Sequence, residues 1–267
     1  MTDDPTEPVV LTRDAHTLVI TINRPAARNA IDRAVTVAIG DALEAAENDR
    51  DIRAVVLTGA GEKSFCAGAD LKAIARGEAI VPTDGPRAAW GFAGYVSHRI
   101  SKPAIAAVNG VALGGGTELV LASDIAVASA DALFGLPEVK RGIIAGAGGV
   151  FRLPQQIPPK IALELMFTGE PISAQRALTL GLINRVTAPD RVLDEALALA
   201  RTIAANAPLA VQASKRIAKH IVDGTITAES ASWELSARER AVVRSSADAQ
   251  EGPRAFAEKR EPVWTGR

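Results

Sequence analysis

The chain has 267 residues, 48% hydrophobic and 23% charged, with 30 Lys and Arg against 31 Asp and Glu for a formal charge of −1. That balance excludes the basic footprint of a dedicated nucleic-acid binder and offers nothing special to an anionic membrane surface; the length suits one large domain, or a main domain with an appendage. A single cysteine, Cys66, rules out an internal disulfide framework or a Cys-rich zinc site, and three scattered histidines (His16, His98, His220) argue against a histidine-built metal site.

The chain opens MTDDPTEP, acidic and proline-punctuated, without the basic start and apolar run of a signal peptide. No stretch approaches the roughly 18 apolar residues of a membrane span, so a cytoplasmic location is expected. Val9–Leu11 and Thr17–Asn23 are β-branched runs around Asp14-Ala15-His16, a hairpin pattern. Ile31–Asn48 places Val35, Ile39, Leu43 and Ala46 at helical spacing behind Asp32. Ala54–Thr58 follows as a compact apolar strand, and this succession predicts an α/β layer arrangement.

Arg76–Pro86 is rich in Gly and Pro and reads as a surface loop; Arg87–Ser101 reads as a helix ended by Pro103. Ala104–Val108 is the next buried strand, followed by Gly114-Gly115-Gly116 and a helix from Thr117. Asp124–Ala128 and Leu133-Phe134 are further strands. Ser173 and Gly181 bracket a helix over Ala174–Leu180. Beyond Val186 the pattern is helical, over Asp190–Asn206, Leu209–Val222, Thr227–Ser245 and Pro253–Lys259, with a boundary near Ala207-Pro208 dividing a core (1–207) from a helical tail (208–267).

Four clusters lie where strands give way to loops or helices, the usual place for ligands in α/β proteins: Ser64–Asp70, Asn109–Glu118, Phe134–Glu138 and Gly142–Gly149. Gly115 has no side chain, so its N–H can approach a ligand oxygen closely, and the following helix points its free N–H groups and positive dipole end at the same spot. A tight packing turn accounts for the glycines equally well. Ala69 N–H is a candidate second donor of an oxyanion hole. Asp70 reads as the cap of a helix over Leu71–Ala75, and Cys66 as a buried structural thiol. Glu118 and Glu138 are each unremarkable alone. Together, beside glycine-rich donors, they form the pattern of a two-carboxylate acid/base site.

These clusters resemble the enoyl-CoA hydratase/isomerase (crotonase) family from about Val9 to the end of the chain. The most specific part is Ala106–Gly110 with Ala112–Leu119; Asn23-Arg24-Pro25, Phe65–Asp70, Phe134–Glu138, Gly146–Gly149 and Ala255–Arg260 match in order and spacing. The resemblance implies an α/β fold, a spiral of β-β-α units with a C-terminal helical trimerisation domain, assembled as a trimer or a dimer of trimers. It implies that Ala69 and Gly115 hold a thioester carbonyl, that Glu118 and Glu138 are the catalytic pair, and that Gly146 N–H helps place the water. Ala67, Asp70, Leu71 and Lys72 fall on the stretch that lines the coenzyme A site, Ala26 replaces a lysine often found in the early coenzyme A loop with Arg28 as the candidate to compensate, and Phe256 and Lys259 match tail positions that reach coenzyme A. No metal and no separate cofactor is implied, coenzyme A being part of the substrate. The implied reaction is reversible hydration of a 2-enoyl-CoA. Phe134–Lys140 also looks like the carnitinyl-CoA dehydratase branch, and the alternative is another acyl-CoA lyase or isomerase of the family, such as that one, or a thioester-binding protein with weak catalysis.

Overall fold

The computed structural model describes residues 7–98 and 100–267; the acidic N-terminal start, apart from its last two residues, lies outside them. Twelve strands and ten α-helices follow one another among the described residues. Strands β1 (Val9–Asp14) and β2 (Thr17–Ile22) form the expected hairpin, turned at Ala15 with φ 50°. Helix α1 (Arg33–Asn48) starts where Asp32 accepts the Val35 N–H at 2.9 Å, and buries Val35, Ile39, Leu43 and Ala46 on one face.

The chain then repeats a pattern in which each pair of strands serves two sheets. Strands β3 (Ala54–Gly59) and β4 (Ser64–Cys66) lead into α2 (Leu71–Ala75). Next, β5 (Ala104–Val108) and β6 (Val111–Leu113) lead into α3 (Gly115–Ala122). A third pair, β7 (Ile125–Ser129) and β8 (Leu133–Gly135), leads through the turn Pro137–Arg141 towards α4 (Gly149–Gln156). The first strand of each pair adds in parallel to a sheet that becomes β1-β2-β3-β5-β7-β10, and the second adds to β4-β6-β8-β9, where β9 is Ile172–Ser173 and β10 Arg185–Thr187. This is the expected spiral of β-β-α units.

The larger sheet is covered on both faces, which explains why its inner strands read as unbroken apolar runs. Ile20, Val55, Leu57, Ala106 and Val108 belong to the main core; Val19, Val56, Ile105 and Val127 meet Val192, Ala196 and Ala200 of helix α7 on the other face. Helices α5 (Pro159–Thr168), α6 (Ala174–Leu180) and α7 (Val192–Ala204) complete the core. Ser173 caps α6 by accepting the Arg176 N–H, and Gly181 ends it in the left-handed region, as the pattern predicts. After Ala207 come α8 (Pro208–Ala218), α9 (Ser230–Ser245) and α10 (Ala247–Glu258). No helix among the described residues is long and apolar enough to cross a membrane.

Three expectations are corrected. Of the helix expected over Arg87–Ser101, Arg99 lies outside the described residues, and the remainder is two 3-10 turns (Pro86–Trp90 and Phe92–Gly94), a further turn at Tyr95, Val96 and Ser97, and irregular chain. Tertiary packing overrides helical propensity here. The Trp90 ring occupies the space where a Cβ on Gly40 of α1 would sit, and Gly94 presses on the α1 backbone, where a Cβ would fall 2.2 Å from Thr36 O. The helix expected over Leu209–Val222 stops at Ala218, and Ile221-Val222 (β11) pairs with Thr225-Ile226 (β12) around Asp223-Gly224, both with positive φ. Asp-Gly with two left-handed residues is a strong hairpin signal. Finally, the last helix begins six residues before Pro253 and runs through it, its start capped by Ser246.

Candidate active site

The site forms where β4, β6 and β8 deliver their chain into α2, α3 and the Pro137–Arg141 turn. Ala69 is held by a parallel bridge to Ile31 that spends its neighbours' groups: Ile31 N–H donates to Gly68 O at 2.9 Å, and Asp70 N–H to Ile31 O at 2.8 Å. The Ala69 N–H is left over. Gly115 is the first residue of α3, and Gly114 before it donates to Gly135 O at 2.9 Å. Neither the Ala69 nor the Gly115 N–H finds a protein acceptor among the described residues. The two turns touch, since a Cβ on Gly68 would lie 3.3 Å from Gly115 N. Thr117 pins them: its hydroxyl oxygen accepts the Gly135 N–H at 3.0 Å and sits 2.7 Å from Ala112 O, joining α3 to both strands beneath it.

The two glutamates flank this pair of donors. Glu118, in the first turn of α3, is buried, and its Oε1 accepts N–H bonds from Ala147 at 2.7 Å and Gly149 at 2.8 Å. Oε2 receives no protein donor among the described residues. Glu138 approaches the other side: a Cβ on Gly114 would fall 2.8 Å from its Oε1, while its Oε2 is shielded and has no partner among the described residues. Burial pushes both carboxyls well above the ordinary carboxylate range. For Glu118 the two backbone bonds and the nearby Arg152 and Arg240 charges oppose that rise, whereas for Glu138 the Glu118 charge adds to it. Two acids that cannot comfortably ionise together near neutrality are a proton donor and a proton acceptor in one pocket.

The structure sorts the remaining sequence candidates. Arg28, Ala67, Leu71 and Lys72 are exposed along one rim, and Ala67 N–H donates to Arg28 O at 3.1 Å, which brings the two stretches together. Asp70 is different: it is buried, caps α2 by accepting from Lys72 and Ala73, and pairs with Arg24 at 2.9 Å. Burial alone would raise its pKa, but Arg24 and the cap hold it low. Its side chain is a structural clamp. Phe256 lies under the Arg141 guanidinium, 4.2 Å away, beside the turn that carries Glu138, and Lys259 is the exposed left-handed cap of α10. Gly146 stands one residue before the Glu118 donors, its carbonyl turned to Arg240. Cys66 is a fully buried thiol pushed up to about 12 by burial. His98 is also buried, its Nδ1 on Gly94 O at 3.0 Å, and burial keeps its pKa below the usual imidazole range.

Sequence reasoning did not find Ala147 and Gly149 as the holders of Glu118, although the small-residue turn pointed to that stretch. Nor did it find Phe92, whose ring lies where a Cβ on Gly115 would be, 2.4 Å from Cε1. Phe92 comes from the irregular segment, and no local pattern marks it.

The sequence pattern of the Enoyl-CoA hydratase/isomerase family matches residues 12–267. A carnitinyl-CoA dehydratase of Salmonella arizonae is 46% identical over 263 residues, covering 97% of this chain and 99% of that protein. The crystal structure of a carnitinyl-CoA hydratase from Mycobacterium avium superimposes with a TM-score of 0.95 at 59% identity, covering 98% of this chain and 99% of that one. An enoyl-CoA hydratase from Mycobacterium tuberculosis H37Rv gives 0.76 at 45% identity, over 98% of this chain and 100% of the other. The chain belongs to the enoyl-CoA hydratase/isomerase family and has its crotonase-type fold. Within that family it is a lyase of the hydratase–dehydratase kind.

Proposed function

We propose that the chain interconverts a 3-hydroxyacyl-CoA and its 2-enoyl-CoA by loss or addition of water, and that its preferred substrate is carnitinyl-CoA, a 3-hydroxyacyl thioester carrying a quaternary ammonium. The observation that carries the chemistry is the pair of carboxyls, one buried and one half-buried, beside two unspent N–H groups. In the dehydration direction one glutamate takes the α-proton, and the electron pair moves onto the thioester oxygen between Ala69 and Gly115. The other glutamate then protonates the β-hydroxyl, which leaves as water as the double bond forms. A protein that only bound the thioester would need neither acid. Coenzyme A enters as part of the substrate, along the rim of Arg28, Ala67, Leu71 and Lys72, with Phe256 and Lys259 as tail contacts and Gly146 beside the water.

Two observations support the carnitinyl substrate over an unsubstituted enoyl chain. The likeness to proteins named for carnitinyl-CoA is the higher of the two. Phe92 also supplies a π surface beside Gly115, and aromatic faces attract quaternary ammonium groups. The test follows the conjugated-thioester absorbance with carnitinyl-CoA, its enoyl product and crotonyl-CoA as substrates. We expect kcat/KM at least about tenfold higher for the ammonium-bearing pair, the scale of one modest cation–π contact. Equal or reversed values would return the reading to a general enoyl-CoA hydratase.

The tail is proposed as an oligomerisation domain (208–267) building a trimer or a dimer of trimers. Leu209 and Ile217 of α8 and Leu235 and Val242 of α9 are exposed apolar side chains, as a face awaiting a second copy would be. Sedimentation velocity checks this, and a monomer at micromolar concentration would overturn it.

A further inference from the structure

Near Glu118 lies a largely shielded ion pair that joins the tail to the core. Arg152 belongs to the first turn of α4, and its backbone N–H donates to Gly148 O at 2.9 Å. Its side chain is buried, and it donates from Nε to Glu229 Oε1 at 2.8 Å and from Nη2 to Glu229 Oε2 at 2.7 Å. Nη2 also donates to Val96 O at 2.9 Å, while Nη1 has no partner among the described residues. Glu229 comes from the segment before α9, and Trp233 on α9 donates its indole N–H to the same carboxylate at 3.2 Å.

The unpartnered end of the guanidinium packs on Gly148. A Cβ there would lie 3.2 Å from Arg152 Nη1 and 3.3 Å from Trp233 Cη2, at a residue with φ 104°. Arg152 and Trp233 thus close off the side of Gly148 where a side chain would project, next to the Gly149 N–H that is one of the two holding Glu118 Oε1. A bidentate Arg–carboxylate pair fixes both partners in one plane, which gives orientation as well as charge. That packing ties the orientation to the acid/base site.

We infer that Arg152 and Glu229 are positioning residues for Glu118: the pair fixes the Ala147–Gly149 turn that grips the carboxylate, so residues of the tail help to hold the acid/base geometry. Neither residue touches substrate. The inference rests on the proposed hydration chemistry for its kinetic readout, and on the titration of Glu118 for a readout independent of it.

Charge separates this role from simple bracing. The charged groups around Glu118 are Glu138 from the Pro137–Arg141 turn, Arg152 from α4 and Arg240 from α9, with Glu229 behind Arg152; Cys66 on the strand beneath stays a neutral thiol. Removing the positive charge of Arg152 raises the proton affinity of Glu118. Removing the negative charge of Glu229 leaves Arg152 uncompensated and lowers it. Arg152→Gln should thus move to higher pH the limb of the kcat/KM–pH profile that Glu118 sets, and Glu229→Gln should move it to lower pH. In both, kcat falls at least tenfold while KM stays within about threefold.

Arg152→Gln alone strands a largely shielded carboxylate and is the variant most prone to misfold. The double variant Arg152→Gln/Glu229→Gln removes both charges together; it should fold, keep the wild-type limb and still lose at least tenfold in kcat, because the planar clamp is gone. Carboxyl titration of Glu118 by difference infrared spectroscopy, assigned through its loss in Glu118→Gln, reads the same opposed shifts without turnover. If the wild type hydrates no enoyl-CoA, the functional reading falls and the infrared shifts still decide the positioning role. Limbs and infrared titrations that both stay in place, or a folded double variant with wild-type kcat, would overturn it.

Discussion

The two ends of α3 bury carboxylates in opposite ways. At its start, Glu118 sits where the helix dipole favours an anion, yet it receives only two backbone N–H bonds and faces a second acid, and its pKa is raised. Two residues past its end, Asp124 sits where the dipole disfavours an anion. There Lys215 approaches to 2.7 Å and Lys219 to 2.9 Å, and Ala104 N–H donates at 2.8 Å. Burial alone would raise Asp124 as well, but the two lysines override it and hold its pKa low. Desolvation is common to both sites. What separates a poised acid from a structural anchor is full compensation by opposite charge, and that comes from α8, far along the chain.

The largest expected effect lies at the uncompensated end. Glu118→Gln and Glu138→Gln should each lower turnover by about 10²–10⁴ while keeping the fold, the usual range for positioned acid/base groups. Their stability should move the other way. A carboxyl whose folded pKa is raised costs stability above that pKa, and the cost vanishes as pH falls to the unfolded value of about 4.3. Each Gln variant should therefore be more stable than wild type in urea at pH 8, with the difference closing towards pH 4. Wild-type turnover in either variant would remove the two-acid mechanism, and equal urea midpoints at pH 8 would remove the argument from burial.

Asp124→Asn should show the reverse profile: destabilisation by about 3–5 kcal/mol, the cost of breaking a buried pair, with turnover per folded molecule close to wild type. Because the folded pKa of Asp124 is depressed, its contribution is present above the unfolded value of about 3.9 and lost as pH falls through the folded value. The gap between variant and wild type should thus shrink only at strongly acid pH. A stable Asp124→Asn protein with low turnover would erase the distinction between the two ends of α3.

Gly115 tests the donors that Glu118 serves. A Cβ there would enter the Phe92 ring, so Gly115→Ala should displace Phe92 and disturb the hole. A loss of about 10²–10³ in turnover is expected, the scale of one oxyanion donor. Phe92→Ala placed on that background should restore part of it by giving the methyl room. No recovery would mean that the alanine acts through the backbone rather than through Phe92, and undiminished turnover in Gly115→Ala would make the glycine run a packing turn only.

Legibility followed how local each determinant is. Asp32 capping α1, Ser173 and Gly181 bounding α6, and the apolar run of β5 are local signals, and the structure has them as expected. The two glutamates and two glycine-rich turns were legible because each follows a strand directly. Trp90 against Gly40, Phe92 on Gly115 and Arg152 with Glu229 were not, because each joins residues with no shared pattern across 23 to 77 positions, the longest of them between Arg152 and Glu229. The Asp223-Gly224 hairpin was readable and was hidden by the apolar spacing of the helix before it. Pro253 misled for a related reason: α10 runs through it, with Gly252 beside it docked on the Arg141 backbone, where a Cβ would fall 2.1 Å from the carbonyl oxygen, a long-range contact that no local pattern marks.

The smallest effect belongs to Asp70, which lies next to the donor Ala69 and yet faces away from the chemistry. Its Oδ1 caps α2 with bonds of 3.0 and 3.1 Å to Lys72 and Ala73 N–H, and its Oδ2 holds Arg24. Asp70→Ala removes an N-cap, worth about 0.5–2 kcal/mol, and leaves Arg24 still paired with Asp32 at 3.2 Å. Asp70→Asn keeps an oxygen for the cap and should cost less. The Ala69 N–H is held by the Ile31 bridge through the Gly68 carbonyl and the Asp70 backbone, which neither substitution touches. Turnover should therefore fall less than about threefold, well short of the loss of an oxyanion donor. Fraying of α2 would instead loosen the rim at Leu71 and Lys72 and raise KM for acyl-CoA. Thermal unfolding and steady-state kinetics on the two variants measure both quantities. A fall in kcat on the scale of Gly115→Ala, at nearly unchanged stability, would put Asp70 inside the acid/base machinery and make a third carboxylate part of the site.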